Sequence, residues 1–142
     1  MYVTGSPMYS DGKFAEIVDM KNESLTCDNL QDFPGKQPYG VGALLNGKPL
    51  VCGGYESADC YQYDNQTWNN VTQMKVKRGY AGSAVMENGS LWITGGRPDQ
   101  SGVKHQTTEL IHPDGNVTYG PYLPKERDCH CSAKLDDFRQ GN

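Results

Sequence analysis

Long apolar runs are missing from this 142-residue chain, and none approaches the roughly 18 consecutive residues that a membrane-spanning helix needs. The first residues, "MYVTGSPMYS", lack the charged start and apolar centre of a signal peptide and read instead as a strand. A basic excess is missing too. Lys and Arg total 13 against 17 Asp and Glu, for a net charge of −4, which argues against nucleic acid or an anionic membrane surface as partner. No C-x2-C pair and no pair of histidines supplies the four ligands of a zinc site. No Lys-Ser/Thr follows either double glycine, and no helical periodicity stands behind them, so a phosphate-binding loop is excluded. Phenylalanine is scarce at three residues, whereas glycine (17) and tyrosine (9) abound, and hydrophobic residues make up 36%. That balance describes a turn-rich, all-β chain rather than a helical one.

Five cysteines are many for a reducing compartment: Cys27, Cys52, Cys60, Cys129 and Cys131. Five N-x-S/T sequons accompany them, at Asn22, Asn65, Asn70, Asn88 and Asn116. With nine asparagines and 16 Ser/Thr in the chain, about one sequon is expected by chance. Crowding of Asn, Ser and Thr into turns would also raise the number. The excess points to passage through the secretory pathway, with the five asparagines as candidate N-glycosylation sites and the cytoplasm as the alternative compartment.

Sliding the chain by 42 residues lays "NGKPLVCGG" (46–54) on "NGSLWITGG" (88–96), and "GVGALLNG" (40–47) on "GSAVMENG" (82–89). "MYVTGS" (1–6) repeats "LWITGG", and "HCSAKLDD" (130–137) repeats the small-residue run before Asn-Gly. Downstream, "EIVDMKNESL" (16–25), "DCYQYDNQTW" (59–68) and "ELIHPDGNVT" (109–118) align without gaps. Repeats of roughly 40–50 residues holding four short strands each mark a β-propeller. The first strand of each repeat is predicted at 40–45, 82–87 and 130–135, and the second at 1–5, 49–54 and 91–96. The third falls at 14–19, 59–63 and 107–112, and the fourth near 25–29, 67–73 and 117–121. Each Asn-Gly step predicts a tight hairpin whose two central residues have positive φ.

Leu50-Val51-Cys52-Gly53-Gly54, followed by Tyr63-Asp64 and Trp68, resembles the kelch repeat, which places a double glycine after its second strand and then a tyrosine and a tryptophan at this spacing. The repeat at 80–124 keeps Gly95 and Gly96 but has Pro113 and Thr118 at the tyrosine and tryptophan positions, and the repeat at 1–34 keeps only the strand pattern. The resemblance implies an all-β, kelch-type β-propeller fragment of four-stranded antiparallel blades. Its parts are a blade lacking its first strand (1–34), full blades at 39–74 and 80–124, and the first strand of a further blade (127–142). About three blades' worth of strands is too few to close comfortably, so further blades are expected outside the segment, with a three-bladed ring as the alternative.

On the propeller reading Cys52 ends one strand and Cys60 begins its antiparallel neighbour, which brings them within disulfide range, with two buried thiols as the alternative. Cys129, His130 and Cys131 are close in sequence, yet alternation along a strand would send the cysteines one way and His130 the other. Gly53, Gly54, Gly95 and Gly96 are expected where a Cβ would clash as a buried strand leaves the core. Tyr63, Trp68 and Trp92 are expected to pack between blades, with Tyr61 sharing the third strand. Asp11, Asp99 and Gln100 fall in loops that rim one propeller face.

The function implied is a non-catalytic interaction module of a secreted or extracellular protein, binding a protein or a glycan through its loops, with no cofactor and no metal. Two other classes share the propeller. One is the intracellular kelch adaptor that presents substrates to a ubiquitin ligase or binds actin. The other is the galactose oxidase-like copper enzyme, whose tyrosine and histidine ligand set has no residue-by-residue match here.

Overall fold

A computed structural model describes residues 2–5, 15–18, 28–29, 31, 33–34 and 39–134. Asp11, Asn22 and Cys27 lie outside the described residues, as do positions 135–142. The strands are β1 (Tyr2–Gly5), β2 (Ala15–Val18), β3 (Asp28–Asn29), β4 (Val41–Leu45), β5 (Lys48–Cys52), β6 (Asp59–Asp64) and β7 (Thr67–Gln73). They continue with β8 (Gly82–Val85), β9 (Leu91–Thr94), β10 (Thr108–Ile111) and β11 (Val117–Tyr119). Among the described residues they form three antiparallel sheets, in the orders β1-β2-β3, β4-β5-β6-β7 and β8-β9-β10-β11. Each four-stranded sheet is an up-and-down meander, the form a chain takes when short strands are joined by tight turns. β4 lies beside β8, so the first strands of successive blades are neighbours, as the inner strands of a propeller must be.

The hydrophobic core sits between the second blade (β4–β7) and the third (β8–β11). Alternation places Leu50 and Cys52 of β5 on the face toward the third blade, where they meet Leu91, Ile93, Ile111 and Val117. Val51 points the other way and joins Tyr61, Tyr63, Trp68 and Phe33 in a second cluster on the side of the first blade. Both faces of β5 are thus covered, which is why its sequence is apolar almost throughout.

A buried ion pair crosses the core. Arg78, in the link after β7, reaches into the third blade, where Nη2 lies 3.1 Å from Glu109 Oε1 and both side chains are fully buried. The guanidinium also donates to Gly95 O (2.6 Å), Thr107 O (2.9 Å) and Thr107 Oγ1 (2.6 Å). Glu109 in turn accepts the Lys75 and Val76 amides at 2.6 and 3.1 Å. Burial lowers the Arg78 pKa from its ordinary value, while the Glu109 charge opposes that shift. Two charges this deep persist because several partners meet their hydrogen-bonding capacity at once.

The hairpin at Asn46-Gly47 has both residues at positive φ (54° and 75°), the mirror-image turn that matches strand twist. The second Asn-Gly step behaves differently. Met86 N donates to Ser90 O at 2.8 Å, which leaves the three-residue loop Glu87-Asn88-Gly89, and there Gly89 has positive φ (78°) while Asn88 does not. One extra residue between the paired ends changes the turn type. Among the described residues, 130–134 pair with no strand, although a first strand was expected at 130–135. A first strand takes its ladder from the second strand of its own blade, and positions 135–142 lie outside the described residues. The segment instead lies along the third blade, where His130 Nε2 and Ser132 Oγ are each 2.8 Å from Thr94 Oγ1.

Candidate interaction face

Antiparallel strands alternate in direction, so the blades present two different faces. One carries the β4–β5, β6–β7, β8–β9 and β10–β11 turns. The other carries the β5–β6 loop, the β9–β10 loop and the links into β4 and β8. Hydrogen bonds between blades join loops within each face: Asn46 Nδ2 donates to Pro113 O (2.9 Å) on the first, and Glu56 N to Pro98 O (2.9 Å) on the second.

The second face gathers Tyr39, Tyr55, Tyr80 and Arg97. Tyr39 and Tyr80 each stand two residues before their blade's first strand and are held at φ of 65° and 55°. L-residues seldom adopt that left-handed geometry, and here it is fixed by a bond from Tyr80 N to Tyr39 O (3.0 Å). Their rings consequently stack, with centroids 4.1 Å apart and planes 21° from parallel. Tyr55 follows Gly53-Gly54 directly and meets both rings edge-on, at 5.1 and 5.6 Å. Arg97 holds the same place after Gly95-Gly96 and lies 4.6 Å from the Tyr80 ring centre, within cation–π range.

Electrostatics tie this cluster together. Arg97 pairs with Asp128 at 3.3 Å, and Lys104 pairs with the same carboxylate at 3.1 Å. The Lys104 bond and charge, with Arg97 adding to them, hold the Asp128 carboxyl below its usual range. Burial opposes the Arg97 charge, but Tyr80, Tyr55 and Asp128 outweigh it and raise the pKa. The Tyr39 phenol is raised, first by its hydrogen bond with Tyr80 and then by burial. All four side chains of the cluster are half-buried. Tyrosine and arginine anchored on a rigid frame are the composition of interface hot spots, since they offer a large contact area for little lost freedom.

The residues singled out from sequence fall as follows. Cys52 and Cys60 are opposed on β5 and β6, Cα atoms 4.1 Å apart, and are disulfide-bonded in the core. Cys129 and Cys131 are exposed free thiols, while His130 between them turns inward, Nε2 2.8 Å from Thr94 Oγ1. Gly53 and Gly95 have φ of 72° and 59°, and a Cβ on either would collide with the backbone carbonyl of Arg78 or Arg127 respectively. Gly54 and Gly96 have positive φ as well, and their amides donate to those same two carbonyls at 2.8 Å. Trp68 is buried, stacked 4.0 Å from Phe33, donates its indole N–H to Gln31 O (2.9 Å), and has the half-buried Tyr63 ring 5.1 Å away. Trp92 is half-buried on the face of β9 turned away from the second blade. Asp99 and Gln100 lie on the tyrosine-bearing face, where Asp99 is acidified first by the Ser101 side chain and then by the Ser101 amide, which it accepts at 2.7 Å. Asn65, Asn70, Asn88 and Asn116 are exposed. Tyr39, Tyr55, Tyr80 and Arg97 were not singled out from sequence. The signal available was positional, an aromatic or cationic residue just after each double glycine.

No family model matches the chain. In sequence it is similar to Kelch-like protein 23 from Pongo abelii, 31% identical over 99 residues, which is 66% of this chain and 18% of that protein. In structure it is similar to a fungal alcohol oxidase of the AA5 family solved in complex with copper. There the TM-score is 0.68 at 18% identity, covering 82% of this chain and 29% of the other. It is also similar to YjhT, with a TM-score of 0.69 at 11% identity, covering 89% of this chain and 49% of the other. The chain therefore spans less than half the length of each of these three proteins. The fold is all-β and of the kelch β-propeller type, in four-stranded antiparallel blades.

Proposed function

We propose that this chain is the propeller part of a secreted or extracellular, non-catalytic protein that binds a protein or glycan partner through the tyrosine-bearing face. The observation that carries the reading is the Tyr39–Tyr55–Tyr80 cluster with Arg97 set against it, built from the loops of two blades. The Cys52–Cys60 disulfide and the four exposed sequon asparagines support an oxidising, glycosylating compartment. The sequence likeness to a Kelch-like protein supports protein binding and also sustains the second reading, an intracellular adaptor.

The test combines a glycan array with capture from conditioned medium, comparing the natural protein with Tyr55→Ser and Arg97→Ser. Ligands are expected to lose at least about tenfold in affinity in both variants, the range of an interface hot spot. Leu44→Ser, on an exposed strand position away from the cluster, is expected to leave binding intact. Equal binding by all forms would overturn the assignment of the face. A copper-dependent absorption band after reconstitution would overturn the non-catalytic reading, and free Cys52 and Cys60 thiols in natural material would move the protein to the cytoplasm.

A further inference from the structure

Among the described residues, three sequons fall in turns of one face. Asn65 is in the β6–β7 turn, Asn88 in the β8–β9 turn and Asn116 in the β10–β11 turn, all exposed. By strand direction these turns crowd the face opposite Tyr39, Tyr55, Tyr80 and Arg97. Asn70 differs, because it lies on the outer strand β7 and its amide nitrogen donates to Asp59 Oδ1 (3.3 Å).

The hydroxyls of two of these sequons serve the fold as well. His112 lies between Ser90 Oγ (3.1 Å from Nδ1) and Thr118 Oγ1 (2.8 Å from Nε2), the third residues of the Asn88 and Asn116 sequons. The same imidazole thus ties the two turns together beneath their asparagines. Ser90 is fully buried while Asn88 is exposed, so the hydroxyl faces in and the amide faces out. Asn88 accepts the Ser90 amide (3.0 Å) through Oδ1, which leaves the nitrogen that would carry a sugar out of that bond.

We infer that the propeller divides labour between its faces: Asn65, Asn88 and Asn116 carry N-linked glycans that sheathe one face, and the tyrosine-bearing face stays bare for its partner. This rests on the secretory reading proposed above. The glycan replaces one amide hydrogen on each asparagine, and water-facing turns accommodate that bulk without loss of packing.

The test uses the protein expressed from its complete natural coding sequence in animal cells, with no leader added. Enzymatic deglycosylation in heavy-oxygen water converts each occupied asparagine to a labelled aspartate, which peptide mass spectrometry reads site by site. Occupancy is expected at Asn65, Asn88 and Asn116. Hydroxyl-radical labelling of Tyr39, Tyr55 and Tyr80 is expected to be the same before and after deglycosylation. Asp99→Asn completes a new sequon with Gln100 and Ser101 on the tyrosine-bearing face. With a glycan there, labelling of those tyrosines is expected to fall severalfold and to recover on deglycosylation. Sites are best removed by Asn→Gln, since Ser90→Ala or Thr118→Ala would also take a partner from His112. Empty sites on a chain whose Cys52–Cys60 disulfide has formed would overturn the inference and leave the secretory reading standing. Rising tyrosine labelling when native glycans are removed would overturn it too. Empty sites together with free Cys52 and Cys60 would overturn both readings.

Discussion

His105 and His130 are held below the ordinary imidazole pKa, first by burial and then by a nearby guanidinium, Arg78 for His105 and Arg127 for His130. Asp128 works against the shift at His130, and Glu109 against that at His105. An unfolded histidine titrates near 6.5, so in the window just below that value the unfolded chain binds protons that the folded chain refuses. Stability therefore falls as pH drops from about 7.5 to 5.5. The acidified Asp99 and Asp128 act in a separate window, since their contribution is complete above about pH 4 and is lost only as pH falls further. Thermal melts across the upper window are expected to shift downward, and less so in His105→Gln/His130→Gln, which keeps a donor near Lys77 O and Thr94 Oγ1. An equal shift in both proteins would remove these histidines as the cause.

At the level of elements, the disulfide fastens β5 to β6 at the end of the apolar strand, across a separation of eight residues. Closing so short a loop constrains the unfolded chain by about 2–3 kcal/mol on the chain-entropy account. Cys52→Ser/Cys60→Ser is expected to lose about that much in urea unfolding, and reductant is expected to lower the midpoint of the natural form but not of the variant. Most strands were legible in sequence because β-prone runs ending in Gly-Gly or Asn-Gly announce both the period and the stops. The turn at 86–90 was misread because its type depends on one intervening residue, Glu87, rather than on the Asn-Gly step. The tyrosine–arginine cluster was illegible for a different reason. Tyr39, Tyr55, Tyr80 and Arg97 come from separate loops, and nothing in a tyrosine's side chain announces a left-handed backbone. Arg78 and Glu109 were equally hidden, since charged residues are ordinarily placed on the surface and only the packed core shows otherwise.

Across the whole molecule, Arg78 extends from the second blade into the third, and its five contacts make the two blades one cooperative unit. Removing one partner of a buried ion pair costs about 3–5 kcal/mol, because the other charge is stranded. Arg78→Ala is expected to lose stability on that scale. Native-state hydrogen exchange is expected to resolve two opening free energies in the variant, one for β4–β7 and one for β8–β11, and a single value in the natural chain. A single value in the variant would place the coupling elsewhere in the core. Tyr39, Tyr80 and Cys129 occupy matching left-handed positions (φ 65°, 55° and 51°), and each amide after the first donates to the carbonyl of the one before. At these three positions the link from one repeat to the next is made by peptide groups. The side chain displayed at each step, phenol, phenol and then thiol, is a letter that selection can rewrite without disturbing the line on which it is written.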